Sequence, residues 1–279
     1  MSKNKRSSSA DNFVLIRGGG DLATGVALRL YRAGMRVVIS ELAQPLAVRR
    51  TVSFSEAVYE GQHTVEGVTA RLIEASQLSA WDEAGEIPIL IDPNADVLLS
   101  NSFLVVVDAR LTKQPPAPLP VDVPLHIGLG PGFTAGSDCH AVIETRRSHT
   151  LGRVLWNGET QADSGQPEGD TRRVLRAPDS GQLLPVVEIG DHVKEGQLIA
   201  EIQNSAGNRT KIISPFDGLL RGLIHPRVEI TEGMKIGDVD ARNDLSMCKL
   251  VSDKALSIGG GVLEAVLVKL NEINSSISI

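Results

Sequence analysis

A glycine turn placed between a short apolar run and a helical stretch carries the most chemistry in this chain. Phe13-Val14-Leu15-Ile16-Arg17 reads as a strand, and Gly18-x-Gly20-x-x-Ala23 follows it directly. That spacing suits a phosphate: Gly18 permits the tight turn, Gly20 lets backbone amides approach, and Ala23 with Gly25 lets the helix lie close to a sheet. A helix start adds unpaired N–H groups and a positive dipole end. Gly18, Gly19, Gly20, Asp21, Leu22, Ala23, Thr24 and Gly25 therefore form a candidate anion seat. Glu41 ends the next apolar run, Arg36–Ser40, where a ribose-binding carboxylate would stand. Asp21 pulls the other way, because a carboxylate repels phosphate; its side chain suits a helix N-cap. A compact turn without a ligand stays open as the alternative.

A second glycine loop runs from Gly128 through Gly130 and Gly132 to Phe133. Ligands of open α/β sheets gather beyond the carboxyl ends of strands, so two such loops could wall one cleft. Arg49 and Arg50 follow the second strand, and Arg146 and Arg147 follow a later one. Arginine forks recognise phosphate in a bidentate manner, although a solvated face explains them equally well. Cys139 could act as a thiolate if a cation lowered its pKa, but a small buried cysteine is the preferred reading. His140, Glu144 and His149 lack zinc spacing, so no metal is expected.

The elements that must position these groups read as βαβ. Strands are expected at 13–17, 36–40, 88–91, 103–107 and 125–129, with helical text at 75–84 and an inserted hairpin at 64–73. Near-continuous apolar runs suggest a parallel sheet buried on both faces. A formal net charge of -6 argues against a general nucleic-acid binder and leaves room for a local cationic pocket. Two cysteines make no disulfide framework and favour a reducing, cytoplasmic setting. No apolar run approaches the roughly 20 residues of a membrane span. Residues 1–12 read as a disordered leader.

The second half is built on a repeat. Residues 177–202 and 214–239 share one pattern 37 positions apart, with Pro, Gly, Leu, Glu, Gly and Ile identical. Neither copy covers its apolar face alone, so the two must interlock. A Ser-, Gly- and Pro-containing stretch at 158–172 reads as a linker. The repeat looks like the barrel-sandwich of biotinyl- and lipoyl-type domains. No lysine occupies the turn at Asn204-Ser205-Ala206-Gly207, so no covalent biotin or lipoyl group is expected. A closing helix places Leu263, Val266, Leu267 and Leu270 on one face. The expected architecture is thus α/β: a Rossmann-like parallel-sheet domain (13–157), the linker, a small all-β barrel-sandwich domain (173–245) and a C-terminal helical segment (246–279).

Several longer strings resemble the YqeB-type accessory proteins of selenium-dependent molybdenum hydroxylase systems. They are the stretch from Ile16 to Gly25, Glu41 through Phe54, Ala57-Val58-Tyr59-Glu60-Gly61, Gly128 through Phe133, and Pro215-Phe216-Asp217-Gly218 with Gly237-Asp238-Val239-Asp240. The first half is similar to XdhC-type chaperones of the molybdenum cofactor. The resemblance implies maturation of a molybdenum hydroxylase, with a molybdopterin-type or nucleotide-like phosphate on the glycine loop. It implies the hydroxylase or its maturation proteins as partners. An NAD(P)-dependent oxidoreductase and a non-catalytic docking scaffold are the alternatives. Ligand identity, catalysis and a homo-oligomeric state stay open.

Overall fold

The computed structural model describes residues 13–277 other than 82–84 and 166–168. The leader expected at 1–12, and parts of the helical text at 75–84 and of the linker at 158–172, lie outside the described residues. In the first half the strands are β1 (Phe13–Arg17), β2 (Arg36–Glu41), β3 (Gln62–Val65), β4 (Val68–Leu72), β5 (Glu86–Ile91), β6 (Val105–Asp108), β7 (Leu125–Leu129), β8 (Thr134–Ala135), β9 (Ala141–Ile143), β10 (Val154–Leu155) and β11 (Gly158–Glu159). Nine of them form one sheet in the order β10-β9-β7-β6-β1-β2-β5-β4-β3, and β8 pairs separately with β11. β1 lies at the centre, parallel to both β2 and β6.

The expected Rossmann-like parallel domain is corrected by this topology. The sheet is mixed: β3 runs antiparallel to β4, and β10 to β9. A doubly wound sheet also needs helices on both faces. Here α1 (Asp21–Arg32) joins β1 to β2, but the later connections are short 3₁₀ turns, one single-turn α-helix (Ala57–Glu60) and loops. The link from β6 to β7 carries Pro115, Pro116, Pro118 and Pro120, which cannot sustain a helix interior. The text at 75–84 likewise yields a 3₁₀ turn at Ala75–Ala80 instead of an α-helix. The chain end supplies what those connections lack. The long closing helix (Asp253–Ile277) packs beside α1 on the face that carries Val14, Ile16, Ile39, Val107 and Ile127. The opposite face, with Leu15, Val38, Leu90 and Val106, is covered by Leu78, Val97, Leu98 and Phe103 from turns and loops.

That helix begins earlier than its leucines suggest and absorbs Gly259-Gly260-Gly261. Its buried stripe is Ala255, Ile258, Val262, Ala265 and Val266, while Leu267 faces outward. Small residues let the two helices touch. A Cβ on Gly25 would sit 2.6 Å from the Ala255 Cβ, and one on Gly259 would sit 2.7 Å from the Gly25 carbonyl oxygen. Gly25 thus serves a helix–helix contact, not the helix–sheet contact expected of it.

The second half is two four-stranded antiparallel sheets in place of the expected barrel-sandwich module. One is β12 (Val174–Arg176), β19 (Lys235–Asp240), β17 (Gly218–Leu223) and β14 (His192–Val193), in that order. The other is β16 (Arg209–Ile213), β15 (Leu198–Gln203), β13 (Gly181–Pro185) and β18 (Glu229–Ile230). The repeats trade short strands: β14 from the first copy pairs with β17 of the second, and β18 from the second pairs with β13 of the first. Leu183, Ile199, Ile202, Leu220, Ile236 and Val239 fill the space between them. These sheets also rest on the first half. Gly222 lies against Val48, where a Cβ would come within 2.9 Å of the carbonyl oxygen. Arg50 Nε donates to the Leu223 carbonyl at 2.8 Å. Tyr59 stacks on His225 with ring centres 3.8 Å apart. Among the described residues no helix is long and apolar enough to cross a membrane.

The helix contact gives a direct test. Gly25→Val should lower the midpoint of thermal unfolding by several degrees, on the order of 1–3 kcal/mol for overpacking. Gly20→Ala, whose added Cβ meets nothing within 4 Å, should leave it nearly unchanged. Circular dichroism melts of the two variants check this, and equal midpoints would reject the contact.

Candidate anion-binding site

The glycine turn is occupied by the protein's own groups. Gly18 adopts φ +93°, a left-handed conformation that suits glycine, and its N–H donates to the Ser40 carbonyl at 2.7 Å. The Gly19 N–H donates to Glu41 Oε2 at 2.6 Å, and the Leu42 N–H donates to Glu41 Oε1 at 2.7 Å. The carboxylate expected to meet a ribose instead sits on the loop amides. Burial pushes its pKa up, while the two N–H donors pull it down. Asp21 is the first residue of α1, not its N-cap; Gly20 takes that position. Asp21 Oδ1 accepts from the Leu22 N–H, and Oδ2 pairs with Arg49 Nη1 at 3.2 Å. Thr24 is buried: its hydroxyl donates to the Gly20 carbonyl and accepts from the Phe54 N–H, each at 2.9 Å.

The second loop is packing of the same kind. A Cβ on Gly128 would overlap the Phe133 ring, and one on Gly130 would lie 2.5 Å from Thr145 Oγ1. Gly132 backs onto Gln114. Phe133 is buried in a small cluster with Ala135, Cys139 and Val142. Cys139 donates to the Ala141 carbonyl at 3.3 Å, and burial pushes its thiol up to about 11.

Open space lies beside these loops, between the carboxyl edge of the large sheet and the antiparallel sheets. A chamber of about 480 Å³ is lined by nine Lys and Arg side chains and only three Asp. That excess is set in a chain whose formal charge is -6. Lys113 reaches it from the segment after β6, and Arg146 and Arg147 from the turn after β9. Arg221 and Lys235 come from β17 and β19 on the opposite wall. Asp238, buried, organises that wall: it holds Arg173 at 2.7 Å, Arg221 at 3.0 Å and Lys235 at 3.7 Å. Burial pushes the Lys235 ammonium pKa down against the pull of Asp238. Asp240 adds a second carboxylate, held by Arg221 and Arg242, so two carboxylates face four cations and the wall stays positive.

Of the residues singled out in the sequence, Asp21, Leu22, Arg49, Arg146 and Arg147 line this chamber. Gly18, Gly19, Gly20, Ala23, Thr24, Gly25, Glu41, Gly128, Gly130, Gly132 and Phe133 do not, nor do Arg50 and Cys139. Their neighbours Leu129 and Pro131 form the wall instead. Lys113, Arg173, Arg221 and Lys235 escaped sequence reasoning because no spacing unites them; only the fold brings them together.

A second chamber of about 930 Å³ adjoins the first and shares Arg49, Arg147, Arg173 and Arg221 with it. Here Arg242 forks onto Asp240, with Nε 2.9 Å from Oδ1 and Nη2 2.8 Å from Oδ2. Among the described residues, one group has metal-ligand composition: Glu56, Glu60 and His225, with donor atoms within 4.8 Å of one another. The His225 Nδ1 accepts the Arg227 N–H at 3.1 Å, so the ring proton sits on Nε2, which faces Glu60 at 3.7 Å. A metal ligand would need that lone pair free. Glu56 is also paired with Arg50. The group reads as a polar cluster between the halves, with one ion pair, Arg50–Glu56, beside a neutral His225.

Two measurements follow. Cys139 and Cys248 are both buried with raised pKa values. An aromatic disulfide reagent at pH 8 should find no fast-reacting thiol in the folded protein and both thiols after denaturation. Arg242 pulls the Asp240 carboxyl from 3.8 to about 2. A folded pKa below the unfolded one stabilises above the unfolded value and loses that contribution as pH falls through the folded value. Asp240→Asn should therefore lower the melting midpoint at pH 7, and the difference should close as pH approaches 2. A gap independent of pH would reject the charge-based account.

No family model matches the chain. It is similar to solved structures of aspartoacylase type at low scores. One is EutE (DoeB), an ectoine utilization protein of Ruegeria pomeroyi: 11% identity, TM-score 0.29, covering 83% of this chain and 88% of that one. Another is a succinylglutamate desuccinylase/aspartoacylase of Rhodobacter sphaeroides: 18% identity, TM-score 0.25, covering 33% and 31%. Scores this low carry no inference about fold or chemistry. In sequence the chain is 46% identical over 269 residues to YqeB of Escherichia coli (strain K12), described as an uncharacterized protein. The match takes in 95% of this chain and 49% of that protein, so the chain spans about half the length of the relative. Throughout that matched half, the chain belongs to the YqeB family.

Proposed function

We propose that this chain is a cytoplasmic accessory protein that holds a phosphate-bearing small molecule in the cationic chamber, during maturation of a selenium-dependent molybdenum hydroxylase. The observation that carries the reading is the convergence of nine Lys and Arg side chains on one cleft of an acidic protein. The motif strings that resemble YqeB-type accessory proteins suggest the system, as does the likeness drawn from those strings to XdhC-type chaperones. The cargo is a molybdopterin-type cofactor, and the partner is the hydroxylase or one of its maturation proteins. The seat of the phosphate moves from the glycine turn, where Glu41 already holds the Gly19 amide, to the chamber wall.

The chamber's groups divide the work. Arg146 has no ion-pair partner for its guanidinium among the described residues and is placed to meet an incoming anion. Lys113 faces Asp163 at 2.7 Å and can exchange that carboxylate for a phosphate. Asp238 keeps Arg221 and Lys235 in place whether or not cargo is bound. A hydrogen bond to a charged group contributes about 1.5–3 kcal/mol, so three such contacts supply about 4.5–9 kcal/mol, the range from millimolar to micromolar binding.

The protein purified from its own host should release a fluorescent pterin on oxidation. In calorimetric titration with a phosphate-bearing pterin, affinity should fall steeply with salt. Arg146→Glu should weaken binding at least about tenfold, the worth of one charge-assisted contact. Clean protein with no pterin and no measurable affinity for the phosphate-bearing form would end this reading.

A further inference from the structure

The closing helix carries two apolar faces, and the large sheet uses only one of them. Ala255, Ile258, Val262, Ala265 and Val266 turn inward and are buried in the core. A second stripe runs along the outside: Leu256, Gly260, Leu263, Leu267, Leu270 and Asn274. Its steps alternate between four and three residues, the repeat of a two-stranded seam and not the 3.6 average of a helix laid on a core. In heptad terms Gly260, Leu267 and Asn274 take position a, and Leu256, Leu263 and Leu270 take position d. Ile258 and Ala265 then fall at position f, turned away from the seam, and both are fully buried. Leu267 is 48% exposed, and Leu256, Leu263 and Leu270 are only partly covered. Nothing lies within 4 Å of a Cβ placed on Gly260, so a second helix axis can come close there.

The charges flanking the stripe specify that second helix. On one flank Glu264 stands at position e and is exposed. On the other flank position g is Gly259, and α1 fills the place of its missing side chain: Arg29 Cγ lies 2.8 Å from where a Gly259 Cβ would be. Arg29 is exposed too, and neither it nor Glu264 has an ion-pair partner among the described residues. In a parallel two-stranded pair, position g of one helix faces the position e that lies five residues further along its partner. Five residues on from Gly259 is Glu264. Two copies joined about a two-fold axis therefore set Arg29 of each against Glu264 of the other, once on either flank. The same pairing sets Asn274 beside its own counterpart, amide to amide, as a single polar a position does where it fixes register. An antiparallel pair would set position a against position d and leave that amide facing leucine.

We infer that the outer face of the closing helix pairs with the same face of a second copy of this chain, in parallel about a two-fold axis, with Arg29–Glu264 ion pairs on both flanks. A helix pair of about two heptads buries less than the roughly 800 Å² per partner of a standard interface, so the dimer forms and dissociates with concentration. None of the seam residues lines either chamber, so pairing does not depend on what the cleft holds.

Sedimentation velocity of the full chain, from low to several hundred micromolar, tests this. The mass should rise from one copy to two across that range. Leu267→Glu, at an exposed position outside the core, should stay a single copy throughout and keep the circular dichroism spectrum of the parent chain. Arg29→Glu and Glu264→Arg should each weaken association about fivefold or more, since two exposed pairs are lost at once. The double variant Arg29→Glu/Glu264→Arg should recover it, which a merely destabilised fold would not do. Asn274→Cys should form a disulfide between copies under mild oxidation, and the parent chain should not, because both of its cysteines are buried. A single copy at every concentration, or a dimer that Leu267→Glu leaves intact, would overturn the interface. A double variant as weak as the single ones, or no disulfide through position 274, would overturn the parallel register.

Discussion

One buried carboxylate organises the cleft. Asp238 sits on the last strand of the repeat and gathers Arg173, Arg221 and Lys235 around it. Three like charges drawn this close repel one another, and Asp238 between them, with Asp240 on the far side of Arg221, offsets that repulsion. Removing one partner from such a buried group typically costs about 3–5 kcal/mol, since the remaining charges lose their compensation. Asp240 takes a second contact from Arg221 and one from Arg242, so two carboxylates face four cations and the balance on this wall stays positive. The chamber's surplus is thus a direct result of how its wall is held.

That wall must also face something, and the meeting of the two halves supplies the other side. Gly222 lets β17 approach Val48, and Arg50 bonds across to Leu223. The closing helix, admitted by Gly25 and Gly259, delivers Lys254 to the cleft and Asp253 to Arg147, and Ser252 just before it lines the same space. Residues from the start, middle and end of the chain therefore meet at one place. None of the three segments makes the cleft alone.

The sequence made some of this legible and hid the rest for physical reasons. The central strands could be read because β-branched runs at 13–17, 36–40 and 103–107 are buried on both faces and carry their own signal. The hairpin at 62–72 showed through Glu66-Gly67, and the repeat through its six identities. The parallel Rossmann-like domain was misread because near-continuous apolar strands suggested a parallel sheet covered on both faces, while the proline-rich link after β6 cannot form a covering helix. The site was misplaced for a different reason. Gly19, Gly128, Gly130 and Gly132 are demanded by close packing, against Ser55, Phe133, Thr145 and Gln114, while Gly20 faces open space. A glycine required by a neighbouring side chain looks, in one dimension, the same as one required by a phosphate. Lys113, Arg221 and Lys235 are far apart in the chain and share no periodicity, so their convergence exists only in three dimensions.

The traded strands of the repeat bear on how the chain is assembled. β13 is completed along one edge only by β18, and β12 at the start of the repeat region waits for β19 at its end. During synthesis the earlier copy therefore emerges from the ribosome with an open hydrogen-bonding edge. It keeps that edge until residues as late as Asp240 have been made. A nascent chain stalled before that point exposes unpaired backbone to its neighbours, so the second half folds as a single late event and not copy by copy.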